Sequence, residues 1–362
     1  MFTKRIFNFS AGPSILPQAV LETASSELLN YGGTGTSVME MSHRSKDFIT
    51  IFEETKALLK EVLNIPDTHE ILFLQGGATL QFSMLPLNLI GKTGKADYAV
   101  TGNFSMLAMK EAKNYGTVNI AANTEDKNHT YIPRQAELQL DTEASYFHYC
   151  DNNTIYGTQW DYVPQTGAVP LTCDISSNIL SKPIDVSKYG VIYAGAQKNM
   201  APAGLAVVII DKALAGFALE RTPVMLDYAS MIKADSMHNT PSCYNIYMLG
   251  LVLKWLKGLG GLSVMAQMNE KKAKILYDFI DESALFKGCA EKAYRSLMNV
   301  TFVTGNEDLD AAFAKEATAA GLSNLKGHRN VGGMRASIYN AMPIEGIEAL
   351  VAFMKEFEIK NK

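Results

Sequence analysis

The chain has only four cysteines in 362 residues, Cys150, Cys173, Cys243 and Cys289, and no two of them form a CxxC pair. That scatter excludes a disulfide framework and a zinc ribbon, and it reads as reduced cysteines near strands or buried segments of a cytosolic protein. A strong charge of one sign is missing too. Lys and Arg number 33 against 37 Asp and Glu, for a net charge of −4, so there is no electrostatic footprint for nucleic acid. No apolar run reaches the roughly 18 residues of a membrane span. The first ten residues, Met-Phe-Thr-Lys-Arg-Ile-Phe-Asn-Phe-Ser, lack the apolar stretch and small-residue cleavage site of a signal peptide. Low-complexity segments, internal repeats and a Pro/Gly-rich linker are also absent. What remains is a cytoplasmic globular chain with 47% hydrophobic and 19% charged residues, long enough for two domains around large cores.

Its organisation follows from alternating patterns. Gly12, Pro13 and Pro17 make the start an extended segment. Residues 17–31 and 47–63 read as amphipathic helices, the second with Ile51, Leu58, Leu59 and Val62 on one face. Short apolar strands are expected at 70–74, 97–101, 118–121, 144–149, 169–173, 191–194 and 206–210, with helices between them. This alternation predicts an α/β fold, a mainly parallel sheet flanked by helices. A long helical segment, 244–256 continuing through 265–283, leads out of that domain. Beyond it, strands at 298–303 and 334–338 and helices at 308–320 and 344–357 predict a smaller α+β domain, with the boundary near residue 260.

The most informative stretch is 189–199 (YGVIYAGAQKN), an apolar strand running into a small-residue turn that presents Lys198. One strand–crossover–strand unit upstream, the run 168–173 ends on Asp174. A lysine and an acid at neighbouring strand ends suit pyridoxal phosphate: the amine condenses with the aldehyde and the acid pairs with the pyridinium nitrogen. A surface lysine and a helix-capping aspartate explain the same spacing. Gly76-Gly77-Ala78-Thr79 sits between a strand and a helix, where free backbone N–H groups can cup a phosphate, though an ordinary tight turn fits equally. It is not a Walker loop, because no Gly-Lys-Ser/Thr follows. Thr154, in the segment 149–154 after a strand, reads as part of a turn or as a hydroxyl near a cofactor ring. In His238-Asn239-Thr240-Pro241 helix capping suffices, the functional alternative being phosphate binding from a second subunit. Ser42-His43-Arg44 and the glycine-rich 327–335, with His328, Arg329 and Arg335, supply bidentate arginines beside histidines. They suit a small substrate with two or more negative groups.

These residues resemble one family. Asn8-Phe9-Ser10-Ala11-Gly12-Pro13, 35–44 (GTSVMEMSHR), 179–186 (ILSKPIDV), 189–199 and 327–342 (GHRNVGGMRASIYNAM) are similar to the phosphoserine aminotransferases, class-V pyridoxal-phosphate enzymes of fold type I. The resemblance spans about residues 6 to 357. It implies a seven-stranded large domain over 16–260, and a small domain from 1–15 with 261–362. It implies reversible amino transfer between L-glutamate and 3-phosphohydroxypyruvate, giving 2-oxoglutarate and O-phospho-L-serine, and it allows a second phosphorylated oxo-acid from pyridoxine synthesis. Lys198 would hold pyridoxal 5'-phosphate covalently, Asp174 would pair with its ring nitrogen and Thr154 would contact its ring oxygen. Ala78, Thr79 and Gln197 would hold the phosphate, with Asn239 and Thr240 given by the partner of a homodimer that shares its active sites. Arg335 would fix the substrate α-carboxylate, and His43, Arg44, His328 and Arg329 the distal anion. No metal is implied. Phe104 stands where members often carry the ring-stacking Trp, and Ala78-Thr79 where some have Gly-Arg. On the same fold, a cysteine desulfurase needs a reactive loop cysteine, for which Cys289 is the loop-like candidate. An alanine–glyoxylate aminotransferase would not need the two His-Arg pairs. A non-catalytic cofactor-binding module could dispense with the substrate arginines.

Overall fold

A computed structural model describes residues 5–361, so the first four residues and the last residue of the expected small domain lie outside it. Seven strands form the main sheet: β1 (His69–Leu74), β2 (Lys95–Val100), β3 (Thr117–Asn123), β4 (Phe147–Cys150), β5 (Leu171–Asp174), β6 (Val191–Gly195) and β7 (Ala206–Asp211). Their spatial order is β1-β7-β6-β5-β4-β2-β3. All neighbours are parallel except β7, which runs antiparallel to both β1 and β6. The reason lies in the connection. Only the short turn 196–205 joins β6 to β7, while a parallel return needs a crossover of about a dozen residues or more. Every residue of β6 is buried, as expected for a central strand covered on both faces.

The helices follow from local signals. In α2 (Lys46–Val62) the Ser45 side chain accepts from the Phe48 amide at 3.3 Å and caps the start, and Phe48, Ile51, Phe52, Thr55 and Leu59 are buried. Helix α1 (Gln18–Glu27) is shorter than its apolar pattern predicts, because the chain turns over Tyr31–Gly33 with Gly32 at φ 55°. The long segment expected beyond 244 is two helices, α6 (Cys243–Gly258) and α7 (Gly261–Glu282), bent by 82°. Gly260 and Gly261, at φ 107° and 79°, make that corner. No single helix among the described residues is long and apolar enough to cross a membrane.

One core packs α2 and α6 under the sheet, and a second packs α3 (Gly77–Leu89), α4 (Asn103–Ala112) and the short α5 (Tyr228–Lys233) on its other face. A separate core gathers Phe286, Phe302, Phe313 and Phe357 between α7, α8 (Glu307–Ala319), α9 (Ile344–Lys360) and a small antiparallel sheet. That sheet is β8 (Lys287–Gly288), β9 (Asn299–Val303) and β10 (Met334–Ser337), with β9 in the middle. Phe9 and Ile15 belong to the same core, so the N-terminal segment crosses from one core to the other.

Candidate active site

Because β7 is reversed, the other six strands point the same way, and the loops following them meet at one edge of the sheet, where open α/β sheets bind ligands. A cavity of about 330 Å³ lies there. Its lining comes from the turn after β1 (Gly76, Gly77, Ala78, Thr79), the start of α4 (Phe104), the end of β5 (Asp174, Ser176), the turn after β6 (Gln197, Lys198) and the approach to β7 (Ala203, Gly204).

Asp174 closes β5 and is paired in register with Tyr193 of β6, which puts it at the same edge as the Lys198 turn. Lys198 Nζ donates to Thr154 Oγ1 at 2.7 Å and stands 5.4 Å from the centre of the Phe104 ring. Burial pushes the Lys198 amine down to about 8; Asp174 opposes that, and Arg335 adds to it. Burial also pushes the Asp174 carboxyl up, against Lys198 and Ser176. Both groups line the cavity, yet they form no ion pair within 4.0 Å. A buried amine and a buried acid therefore stand unpaired with each other on the lining of one cavity. Asp174 is fixed from behind: it accepts from the Ser176 amide at 2.8 Å, and the Ser176 hydroxyl accepts from the Gly195 amide at 2.9 Å.

The lysine turn is covered by the N-terminal segment. The Ser14 amide donates to the Gln197 carbonyl at 2.9 Å, and its hydroxyl donates to the Lys198 carbonyl. Gly76 caps α3 in the left-handed region at φ 85°, and a Cβ there would lie 2.4 Å from Leu80 Cδ2. The free amides at the start of α3 thus open onto the cavity, a ready anion site. Gly76→Ala should lower stability by about 1–2 kcal/mol, the cost of forcing an L-residue into that region. Denaturant midpoints of the two proteins measure it, and equal midpoints would contradict the backbone argument.

Arg335 enters from β10. Its Nη1 donates to the Thr154 carbonyl at 3.3 Å, and burial lowers its pKa. His328 sits in the loop before it, its pKa lowered by burial and then by Arg335 and Arg329. Asn330 in that loop reaches Asn103 at the start of α4, at 3.5 Å. Among the described residues no carboxylate lies within 4.0 Å of Arg44, Arg329 or Arg335.

The structure therefore brings together Lys198, Asp174, Thr154, Gln197, Ala78, Thr79, Phe104 and Arg335, with His328 and Arg329 on the adjoining loop. Thr154 and Arg335 join the site through Lys198 and each other without lining the cavity, and His328, Arg329, Asn239, Thr240, His43 and Arg44 do not line it either. Asn239 donates to Gln75 Oε1 and the Thr240 carbonyl accepts from Gln75 Nε2, both at 3.0 Å, beside the Gly76 turn. His43 and Arg44 stand on the turn before α2, with Arg44 exposed. Ser176, Ala203 and Gly204 were not singled out from the sequence. For Ser176 a signal exists, since an aspartate two residues earlier at a strand end is the pattern of an Asx turn. Cys289 is held in the small sheet through its amide to the Thr301 carbonyl at 3.1 Å, and burial pushes its thiol up. That is the opposite of an activated thiolate.

The family profile of the class-V aminotransferases matches residues 6–350. A phosphoserine aminotransferase of Bacillus cereus is 52% identical over 359 residues, covering 99% of this chain and 100% of that protein. A solved phosphoserine aminotransferase, described for radiation damage of its Schiff base, superposes with a TM-score of 0.97 at 50% identity. It covers 99% of this chain and 100% of its own. The enzyme of the same name from Bacillus circulans subsp. alkalophilus does so at 0.97 and 44%, with the same coverage.

Proposed function

The chain belongs to the class-V aminotransferase family, and from that premise we propose that it moves an amino group reversibly between L-glutamate and 3-phosphohydroxypyruvate, giving 2-oxoglutarate and O-phospho-L-serine. The observation that carries this reading is one cavity with Lys198 and Asp174 apart on its lining, Phe104 and the α3 amides beside them, and Arg335, which pairs with no carboxylate among the described residues, bound to Thr154 next to Lys198. The cofactor is pyridoxal 5'-phosphate, and the residues fit it: an amine, an acid, an apolar ring face and a helix N-terminus share one cavity and suit its aldehyde, ring nitrogen, ring and phosphate. When bound, it supplies an aldehyde that takes up the amino group and a ring that withdraws electrons from the substrate Cα.

The chain's own groups do the rest. Lys198 is the covalent anchor and then, as a free amine, takes and returns the proton at the substrate Cα. Asp174, as an anion, would pair with the ring nitrogen and keep a proton on it. Thr154 would contact the ring oxygen and Phe104 would cover a ring face. Ala78, Thr79 and Gln197 hold the phosphate. Arg335 binds the α-carboxylate, and His43, Arg44, His328 and Arg329 bind the distal group. Both distal groups, a carboxylate and a phosphate, are anionic, so one cationic pocket serves both substrates. Asn239 and Thr240 lie clear of the cavity lining of their own chain, which is consistent with a homodimer in which a second copy contributes them to each site. The separate aromatic core supports a division into 16–260 and 1–15 with 261–362. We place the reaction in the cytoplasm, without membrane or nucleic-acid partners. Use of a phosphorylated oxo-acid from pyridoxine synthesis is consistent with the same pocket.

The visible spectrum of the purified protein, titrated separately with phosphoserine, glutamate, serine and alanine, tests the reading. Loss of the yellow band with the first two only is expected. A response to alanine or serine instead would replace the substrate, and no band after addition of pyridoxal phosphate would overturn the role of Lys198. Arg44→Ala should raise KM for both substrates by about ten- to a hundredfold, the value of a lost charged hydrogen bond. Steady-state kinetics measure it, and unchanged KM values would move distal recognition elsewhere.

A further inference from the structure

Lys272 lies in the middle of α7 and is 2% exposed. Among the described residues no carboxylate pairs with it. Its ammonium donates instead to four backbone carbonyls, those of Ile338 at 3.0 Å, Tyr339 at 2.8 Å, Asn340 at 3.4 Å and Met342 at 3.1 Å. A buried charge without a counter-charge is costly, and burial alone drives this amine down to about 7. The four carbonyls favour the protonated form, which offers them three N–H donors where a neutral amine offers two.

What those carbonyls belong to gives the lysine its meaning. They form the turn that immediately follows β10, the strand that carries Arg335. From the same turn the Asn340 amide donates to Asn199 Oδ1 at 3.0 Å, one residue beyond Lys198. The Asn340 side chain donates to the Leu180 carbonyl at 2.9 Å, in the segment after Asp174, and the Asn269 side chain, one α-helical turn before Lys272, donates to Asn340 Oδ1 at 2.9 Å. The Tyr339 hydroxyl donates to the Ala11 carbonyl at 2.8 Å, in the segment that covers the lysine turn. One turn therefore ties Arg335 on the small sheet to Lys198 on the large one, and the carbonyls of that turn converge on a single ammonium.

We propose that Lys272 is a positioning residue that sets the distance between Arg335 and Lys198 by gathering the 338–342 turn. Without the ammonium the four carbonyls face a bare hydrocarbon stem, and the turn relaxes toward water. Arg335 and the Asn199–Asn340 link then shift together. The inference rests on the reading that Arg335 binds the substrate carboxylate while Lys198 reacts with its Cα.

The test uses the cofactor-loaded enzyme. Lys272→Met keeps the length of the stem and removes the charge. The bound-cofactor absorbance should remain, while KM for glutamate and for phosphoserine rises about tenfold with a smaller change in kcat, because a misplaced carboxylate clamp weakens substrate binding first. Adding Asn199→Ala should cost less than about twofold more, since both exchanges act through one turn. Multiplying penalties would overturn the proposal, and so would a Lys272→Met enzyme that melts earlier but keeps wild-type KM values. If Lys272→Met does not fold, Asn199→Ala alone decides. It leaves Lys272 and its carbonyls intact, should raise both KM values without loss of cofactor, and overturns the proposal if it does not. A wild-type protein that reacts with neither substrate would instead remove the functional reading itself.

Discussion

Lys198→Ala is expected to abolish amino transfer, lowering kcat by about 10⁴-fold or more, because the proposed reaction uses one amine as both covalent anchor and proton carrier. The fold should survive, since Lys198 lies on a turn and its side chain gives one hydrogen bond, to Thr154. The yellow band should be lost while the melting temperature of the cofactor-free protein stays near that of the wild type. The same residue sets a pH dependence. Its amine is pushed down to about 8, and only the unprotonated form attacks an aldehyde. The rate at which cofactor-free protein takes up pyridoxal phosphate should therefore rise with pH through about 8 and then level off. Rapid-mixing absorbance over that range measures it. A rate still climbing in proportion to hydroxide near the ordinary lysine value of 10.5 would mean that burial does not tune this group. Normal steady-state turnover in the alanine variant would refute the assignment outright.

Asp174→Asn should leave the protein folded and able to hold its cofactor, yet lower kcat by about 10²–10³-fold, the usual effect of removing one fixed electrostatic partner from a reacting centre. The amide keeps the shape of the carboxylate, so Ser176 can still donate to its oxygen. What disappears is the charge proposed to hold the ring-nitrogen proton. Single-turnover loss of the yellow band with glutamate isolates this step from the second half of the reaction. An asparagine variant within about tenfold of wild type in that assay would mean the acid acts through packing. The Lys198 amine should also titrate lower in this variant, because Asp174 is the first group opposing the effect of burial on it.

Much of the fold was legible in the chain because apolar period and glycine placement act locally. The run through Val191–Gly195 is apolar because that strand is buried on both faces. Gly76 marks the start of α3 because the turn needs a positive φ. Where the pattern misled, a longer-range cause decided. Helical periodicity runs through residues 244–283 without showing that Gly260 and Gly261 bend the path by 82°. The shortness of the 196–205 connection was visible, but the reversal of β7 that aligns the other strand ends emerges only once β6 and β1 are both its neighbours.

The site divides along the same line. By itself the sequence determined which residue types were available: a lysine after a strand, an acid ending another, glycines before a helix, two His-Arg pairs and a further arginine. These follow from chemistry and local backbone preference, which a short stretch of chain carries in full. Only the tertiary structure decided which of them share a cavity, because distance between strand ends depends on sheet order and not on spacing along the chain. It put Gln197 and Phe104 on one cavity lining with Lys198, and linked Thr154, and through it Arg335, to Lys198 by hydrogen bonds. It also gave Lys272 its place. In the sequence Lys272 is one polar residue of a long helix, and only packing turns it into a buried ammonium facing four carbonyls.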